Sequence, residues 1–127
     1  MKNRVTGIGG IFFKSKDRKG LMEWYQKHLG IAMEEWGAVF QWDTPENPAG
    51  NKYTAFSIFD DKGDYMKPSN VDFMINFQVE NLDELLTTLE KEGVEVMSER
   101  ENSDFGNFGW IIDPEGRKIE LWEPPKK

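Results

Sequence analysis

The stretch Trp110-Ile111-Ile112-Asp113-Pro114-Glu115-Gly116-Arg117-Lys118-Ile119-Glu120-Leu121-Trp122-Glu123-Pro124 reads as two strands joined by a tight turn. Ile119 and Leu121 alternate with Lys118 and Glu120, the two-residue period of a sheet. Pro114 presets one φ and Gly116 allows a positive one, so the chain reverses between them. Working toward the N-terminus, the strands begin at 109 and 118, and another is expected over 94–97. A capped helix precedes it: Asn81 and Glu84 have capping-box spacing, Leu82, Leu85, Leu86 and Leu89 form one apolar stripe, and Gly93 ends the run. Before the helix, Val71, Phe73, Ile75, Phe77 and Val79 alternate with Asp72, Met74, Asn76 and Gln78, which predicts a strand. The order is β, α, then three strands.

The same order occurs once more, earlier in the chain. A strand is expected over 5–14 around Ile8, Ile11 and Phe13, then a helix over 18–29 with Asp17 as N-cap and Gly30 as its stop. Leu21, Trp24, Tyr25 and Leu29 recur at helical spacing, which assigns Trp24 to the core. Strands are expected over 32–36, 38–42 and 53–59, the last two separated by the turn-rich segment 43–50. At one constant offset Ile11 falls on Ile75, Phe13 on Phe77, Asp17 on Asn81 and Leu21 on Leu85. At a slightly different one, the segment 47–54 falls on 113–120 and Thr54 on Glu120. A repeat of this kind favours two like modules packed together. The chain therefore reads as one α+β domain over 1–127, with βαβββ modules at 1–60 and 71–124 and a polar connector over 60–70.

A chain of 127 residues can bury a core without staples. Only 38% of it is hydrophobic but 13% is aromatic, so large rings must supply much of the buried area. The absence of Cys excludes disulfides, thiolate metal sites and a cysteine nucleophile. A net charge of −7 disfavours nucleic acid and anionic membranes as partners. No apolar run approaches the roughly 20 residues that span a bilayer, and the N-terminus does not read as a signal peptide, so a cytoplasmic protein is the expectation. Gly7-Ile8-Gly9-Gly10 lacks phosphate-loop spacing, and one histidine, His28, late in the first helix, supports no Ser-His-Asp set.

The C-terminal hairpin, the run Phe77-Gln78-Val79-Glu80-Asn81-Leu82 and the helix end Tyr25-Gln26-Lys27-His28-Leu29-Gly30-Ile31 together resemble the vicinal oxygen chelate superfamily, the glyoxalase, bleomycin-resistance and extradiol dioxygenase group. The resemblance covers nearly the whole chain. It implies a curved mixed sheet with helices on its convex faces, a small-molecule cleft on its concave faces, and a homodimer. Strand parity agrees: if Ile11, Phe13, Phe73, Ile75, Phe77, Ile119 and Leu121 cover the helices, then Gly10, Phe12, Met74, Asn76, Glu120 and Trp122 face the other way.

In metal-dependent members of the group, the resemblance implies a divalent ion held by His, Glu or Gln from the first and fourth strands of each module. Here those positions are Gly10, Thr54, Met74 and Glu120. A lone carboxylate among a glycine, a hydroxyl and a thioether holds such an ion weakly at best, so no cofactor is expected and Glu120 is the sole ligand if a metal binds. The candidate ligand-binding residues are Gly10, Phe12, Thr54, Met74, Asn76, Trp110, Glu120 and Trp122, with Glu120 also the candidate catalytic group. Three functions stay open. One is metal-free binding of a small aromatic or cationic molecule, for which a carboxylate beside a tryptophan is suited. Another is a lyase or isomerase of the glyoxalase type using Glu120 as general base or metal ligand. A functional dimer surface is a third.

Overall fold

The computed structural model describes residues 4–43, 47, 50 and 52–125. Seven strands form one sheet in the order β2-β3-β1-β4-β7-β6-β5. In chain order the elements are β1 (Gly7–Ser15), α1 (Arg18–Leu29), β2 (Gly37–Gln41), β3 (Tyr53–Asp60), β4 (Phe73–Gln78), α2 (Leu82–Lys91), β5 (Glu95–Ser103), β6 (Gly106–Ile112) and β7 (Lys118–Glu123). The curved mixed sheet and two covering helices are the architecture expected from the sequence.

Its centre is an antiparallel seam between β1 and β4, in which Ile11 lies opposite Ile75 and Phe12 opposite Met74. Outside the seam the arrangement repeats: β3 runs parallel to β1 and β7 parallel to β4, each followed outward by antiparallel neighbours. The helix stops follow the expected chemistry. Asp17 accepts from the Gly20 amide at 3.1 Å, Asn81 accepts from the Glu84 amide at 3.1 Å, and Gly30 and Gly93 take positive φ values of 69° and 88°. Glu123 adds a cap by accepting from the Leu82 amide at 2.8 Å, which ties β7 to the start of α2.

The two helices are unequal. Leu82, Leu85 and Leu86 of α2 are buried with Val79 and Leu121, against β5, β6 and β7. Each such leucine contributes about 1.5–3 kcal/mol by leaving water. No residue of α1 is fully buried, and Trp24, expected in the core, is 50% exposed, as is Leu29 at 59%. The cause is where α1 sits, across β1 and β3 on aromatic contacts: Tyr25 reaches Phe13 and Phe56, and Trp24 lies outside it, edge-on to Tyr25 at 5.2 Å. His28, in the last turn of α1, has its ring 5.2 Å from that of Trp24 and tilted 45° to it.

One expected strand is absent, so the first half reads βαββ among the described residues, and two strand boundaries shift markedly from the sequence reading. Residues 31–36 form no strand: Glu34 and Gly37 exchange backbone bonds, turning the chain, and Arg18 anchors this bend through the carbonyls of Glu35 and Ile58. β5 extends to Ser103, well past residue 97, through the exposed polar run Ser98-Glu99-Arg100-Glu101-Asn102. β6 starts at Gly106, not at 109, because a two-residue loop of Asp104 and Phe105 closes the hairpin onto Ser103. The turn-rich segment 43–50 lies largely outside the described residues, though Asn47 bonds the Trp42 and Lys52 carbonyls at 2.8 and 2.7 Å and so closes the base of that turn. No helix among the described residues is long and apolar enough to cross a membrane.

Candidate functional site

The concave side of the sheet holds a cleft of about 430 Å³. Its centre is Glu120, which projects from β7 next to Asn76 of β4, the residue opposite it in the ladder. Burial leaves Glu120 only 2% exposed, and three donors meet its carboxylate. Oε1 accepts from the Trp110 indole at 2.9 Å and from the Tyr65 hydroxyl, and Oε2 accepts from Asn76 Nδ2 at 2.6 Å. Desolvation raises the Glu120 pKa above its usual value, and the three donors pull against that shift. Tyr65 moves upward as well, through burial and then the Glu120 charge, so its hydroxyl stays a donor.

Lys118 lies two residues before Glu120 on the same face of β7. Its ammonium donates to the Tyr65 carbonyl at 2.6 Å and sits 5.1 and 5.2 Å from the centres of the Tyr65 and Trp110 rings. Desolvation lowers its pKa against the pull of Glu120, Glu99 and Asp64. Tyr65 and Met66 belong to the connector, which folds inward: Met66 is wholly buried with Phe12, Met74 and Trp110. The polar composition of that connector concealed this role. The available signal was an aromatic residue and a methionine side by side between Gly63 and Pro68.

Two groups of rings flank the carboxylate. Phe12, Phe59 and Tyr65 stand on one side with centroids 5.5 and 5.4 Å apart. Tyr53, Trp122 and Phe108 stand on the other, at 4.9 and 6.1 Å, with the last two rings nearly parallel. Eight of the fourteen residues lining the cleft are aromatic, two are glutamates (Glu101 and Glu120), and none of these lining residues is a cation.

Of the eight residues proposed from sequence, Phe12, Asn76, Glu120 and Trp122 line the cleft. Trp110 and Met74 lie behind its wall, where Trp110 donates to Glu120 and Met74 packs with Phe12 and Met66. Gly10 faces the same side but is covered by the Phe12 ring, 2.7 Å from where its Cβ would be, and Gly9 lines the cleft instead. A bulge between Ile8 and Gly10 brings Gly9 round to that face. Thr54 is the clear correction: its hydroxyl bonds the Ile8 carbonyl at 2.6 Å and accepts from the Trp42 indole, and it is no part of the lining. Matching the turns by sequence gives a register three residues out. The ladder sets Ser57 opposite Phe12 as it sets Glu120 opposite Asn76, so Ser57 is the counterpart of Glu120, and an odd slip from 57 to 54 reverses the face.

The four positions at which the resemblance implied metal ligands are therefore Gly10, Ser57, Met74 and Glu120. This set does not suit a divalent ion. One member has no side chain, one is a thioether sealed under rings, one is a neutral hydroxyl, and the carboxylate is already occupied by three N–H or O–H donors. Among the described residues no three His, Cys, Asp or Glu side chains gather as a metal-holding group.

A mixed sheet with this central seam and a concave cleft is the vicinal oxygen chelate fold. Solved structures agree. Methylmalonyl-CoA epimerase from Mycobacterium tuberculosis superposes with a TM-score of 0.65 at 17% identity, over 99% of this chain and 93% of that one. Streptomyces coelicolor methylmalonyl-CoA epimerase in complex with 2-nitronate-propionyl-CoA gives 0.70 at 17% identity, over 96% and 99%. A Legionella pneumophila structure described as an NAD-dependent benzaldehyde dehydrogenase gives 0.59 at 16%, over 91% and 98%. At such identities the likeness establishes the fold, and the site must speak for the activity. No family model and no curated protein matches the chain in sequence.

Proposed function

We propose that the protein binds a flat aromatic molecule, neutral or cationic, in this cleft without a bound metal. The observation that carries the reading is the lining: rings on both sides of a buried carboxylate, a second glutamate, and no cation among those residues. Aromatic faces and a carboxylate attract a planar cation and repel an anion. A coenzyme A derivative, such as the one in the Streptomyces coelicolor complex, would find two glutamates and no lining cation to receive its phosphates. On the same reading residues 1–60 and 71–124 are the two modules of one domain, and the protein is a cytoplasmic homodimer. The outer face of the β1–β4 seam supports the dimer, since Ile8, Ile11 and Phe73 remain 45%, 40% and 39% exposed there. Light scattering that finds a monomer at tens of micromolar would remove that part.

The test of binding is calorimetric titration with N-methylquinolinium and, as an anion of similar shape, 2-naphthalenesulfonate. The cation should bind at least about tenfold more tightly, the scale of a desolvated cation–π contact with a carboxylate nearby. Equal or tighter binding of the sulfonate defeats the proposal. A second reading, a lyase or isomerase with Glu120 as general base, draws support from the raised proton affinity of that buried carboxyl. In that case Glu120→Gln abolishes turnover while leaving ligand affinity within a few fold.

A further inference from the structure

Within the cleft one polar atom has no use in the structure as it stands. Asn76 is 2% exposed, and its Oδ1 has no hydrogen-bond partner. Its Nδ2 donates to Glu120 Oε2 at 2.6 Å, and that bond decides which way the amide points. Turning the amide over would set two acceptor oxygens against each other at that distance, so the carboxylate holds Oδ1 on the side away from itself, as a buried acceptor without a partner. That position is beside Gly9: a Cβ on that residue would stand 2.2 Å from Oδ1 and 2.9 Å from the Trp122 ring. Glycine at the bulge therefore clears the place in which the amide oxygen lies, and Gly9, Asn76 and Trp122 all belong to the wall of the cleft.

We infer that the ligand bound in this cleft carries an N–H donor on or beside its aromatic ring, and that Asn76 Oδ1 receives it. This rests on the proposed aromatic ligand and narrows its class. A buried acceptor without a partner is costly, and a molecule that supplies a donor removes that cost, whereas one presenting only oxygen or sulfur acceptors leaves it in place. The Glu120 charge on the far side of the amide polarises it and strengthens Oδ1 as an acceptor. A modest turn of the amide into the cleft, pivoting on the Glu120 bond, brings Oδ1 to the ligand. Side-chain adjustments of that size are common on binding. The ring of such a ligand then lies along Trp122 and Tyr53, which are already in contact at 4.9 Å.

Indole and benzofuran test this directly, because they share a shape and differ in whether the five-membered ring offers N–H or only an oxygen. Calorimetry or ligand-detected NMR on the unmodified protein should find indole tighter by about tenfold or more, the worth of satisfying one buried acceptor. In Asn76→Leu, which removes the acceptor and keeps a side chain of similar length, the two affinities should come within about twofold. If both probes bind the unmodified protein equally, the donor requirement is wrong and the aromatic cleft stands. If neither binds, and N-methylquinolinium does not bind either, the aromatic cleft falls and this inference with it. A preference for indole that survives unchanged in Asn76→Leu assigns the donor's partner elsewhere and overturns the role of Asn76.

Discussion

Replacing Tyr65 by Phe deletes one oxygen and keeps the ring against Phe59 and Trp110 and under the Lys118 ammonium. What is lost is the hydroxyl's bond to Glu120 Oε1. A hydrogen bond to a charged group contributes about 1.5–3 kcal/mol and one between neutral groups about 0.5–1.5 kcal/mol. The loss in Tyr65→Phe should therefore depend on whether Glu120 is ionised. The folded-state pKa of Glu120 is raised, so its contribution to stability is complete below the ordinary value of 4.5 and is lost as pH rises through the folded value. The Tyr65 hydroxyl opposes that rise by favouring the carboxylate, so its removal lifts the pKa further and deepens the decline at high pH. Denaturant unfolding of both proteins from pH 4 to 9 should show a difference near 1 kcal/mol at the acid end, growing by about 1 kcal/mol toward the alkaline end. In a Glu120→Gln background, where no charge develops, the Tyr65→Phe cost should lose its pH dependence. A cost that is flat with pH in the unmodified background, or that shrinks as pH rises, would refute the account of Glu120 as a buried carboxylate held by Tyr65.

Lys118→Met keeps most of the aliphatic stem but removes the bond to the Tyr65 carbonyl and the charge beside two rings, so the connector should loosen. Hydrogen exchange at residues 61–70 should speed up by tenfold or more, consistent with the loss of about 1.5–3 kcal/mol from a charge-assisted bond, while α2 stays protected. Gly37→Ala should lower stability by at least about 1–3 kcal/mol in thermal unfolding, because Gly37 has a φ of 147° and an added Cβ would stand 2.2 Å from the Phe56 carbonyl oxygen. Leu86→Ala should cost about 2–5 kcal/mol, because that side chain is buried in the cluster of Val79, Leu82, Leu85 and Leu121 and none of these neighbours can follow it inward without leaving the others.

The parts of the fold legible in the sequence are those whose side chains alternate or cap. The strand around Ile75, the helix from Leu82 and the closing hairpin announce themselves through periodicity and turn chemistry, and the structure places all three as expected. Glu120 was legible for the same reason, since parity alone puts it opposite Leu121. The misreadings come from residues whose surroundings are distant in the chain. Trp24 has helical spacing like any core residue, but whether it is covered depends on how α1 lies over Phe13 and Phe56. β5 carries an almost wholly polar sequence because it is an edge strand with most of its side chains in water, and polar runs give no period to read. Thr54 matches Glu120 when the turns are aligned, but strand pairing makes Ser57 its counterpart, and turn lengths in the two halves differ enough to hide this in the sequence. Tyr65 was missed because a connector's composition does not reveal that two of its residues turn inward.

The antiparallel pairing of β1 with β4 bears on how the protein is made. Only β1 joins the first half of the sheet to the second, through β4, so a nascent chain that has emerged only through β3 exposes the hollow faces of Phe12, Phe59 and Tyr53 with nothing from the second half opposite them. Contacts of such long sequence separation form slowly. During synthesis those rings stay open to solvent until Trp110, Glu120 and Trp122 arrive, and apolar surface exposed in such an interval favours association between chains.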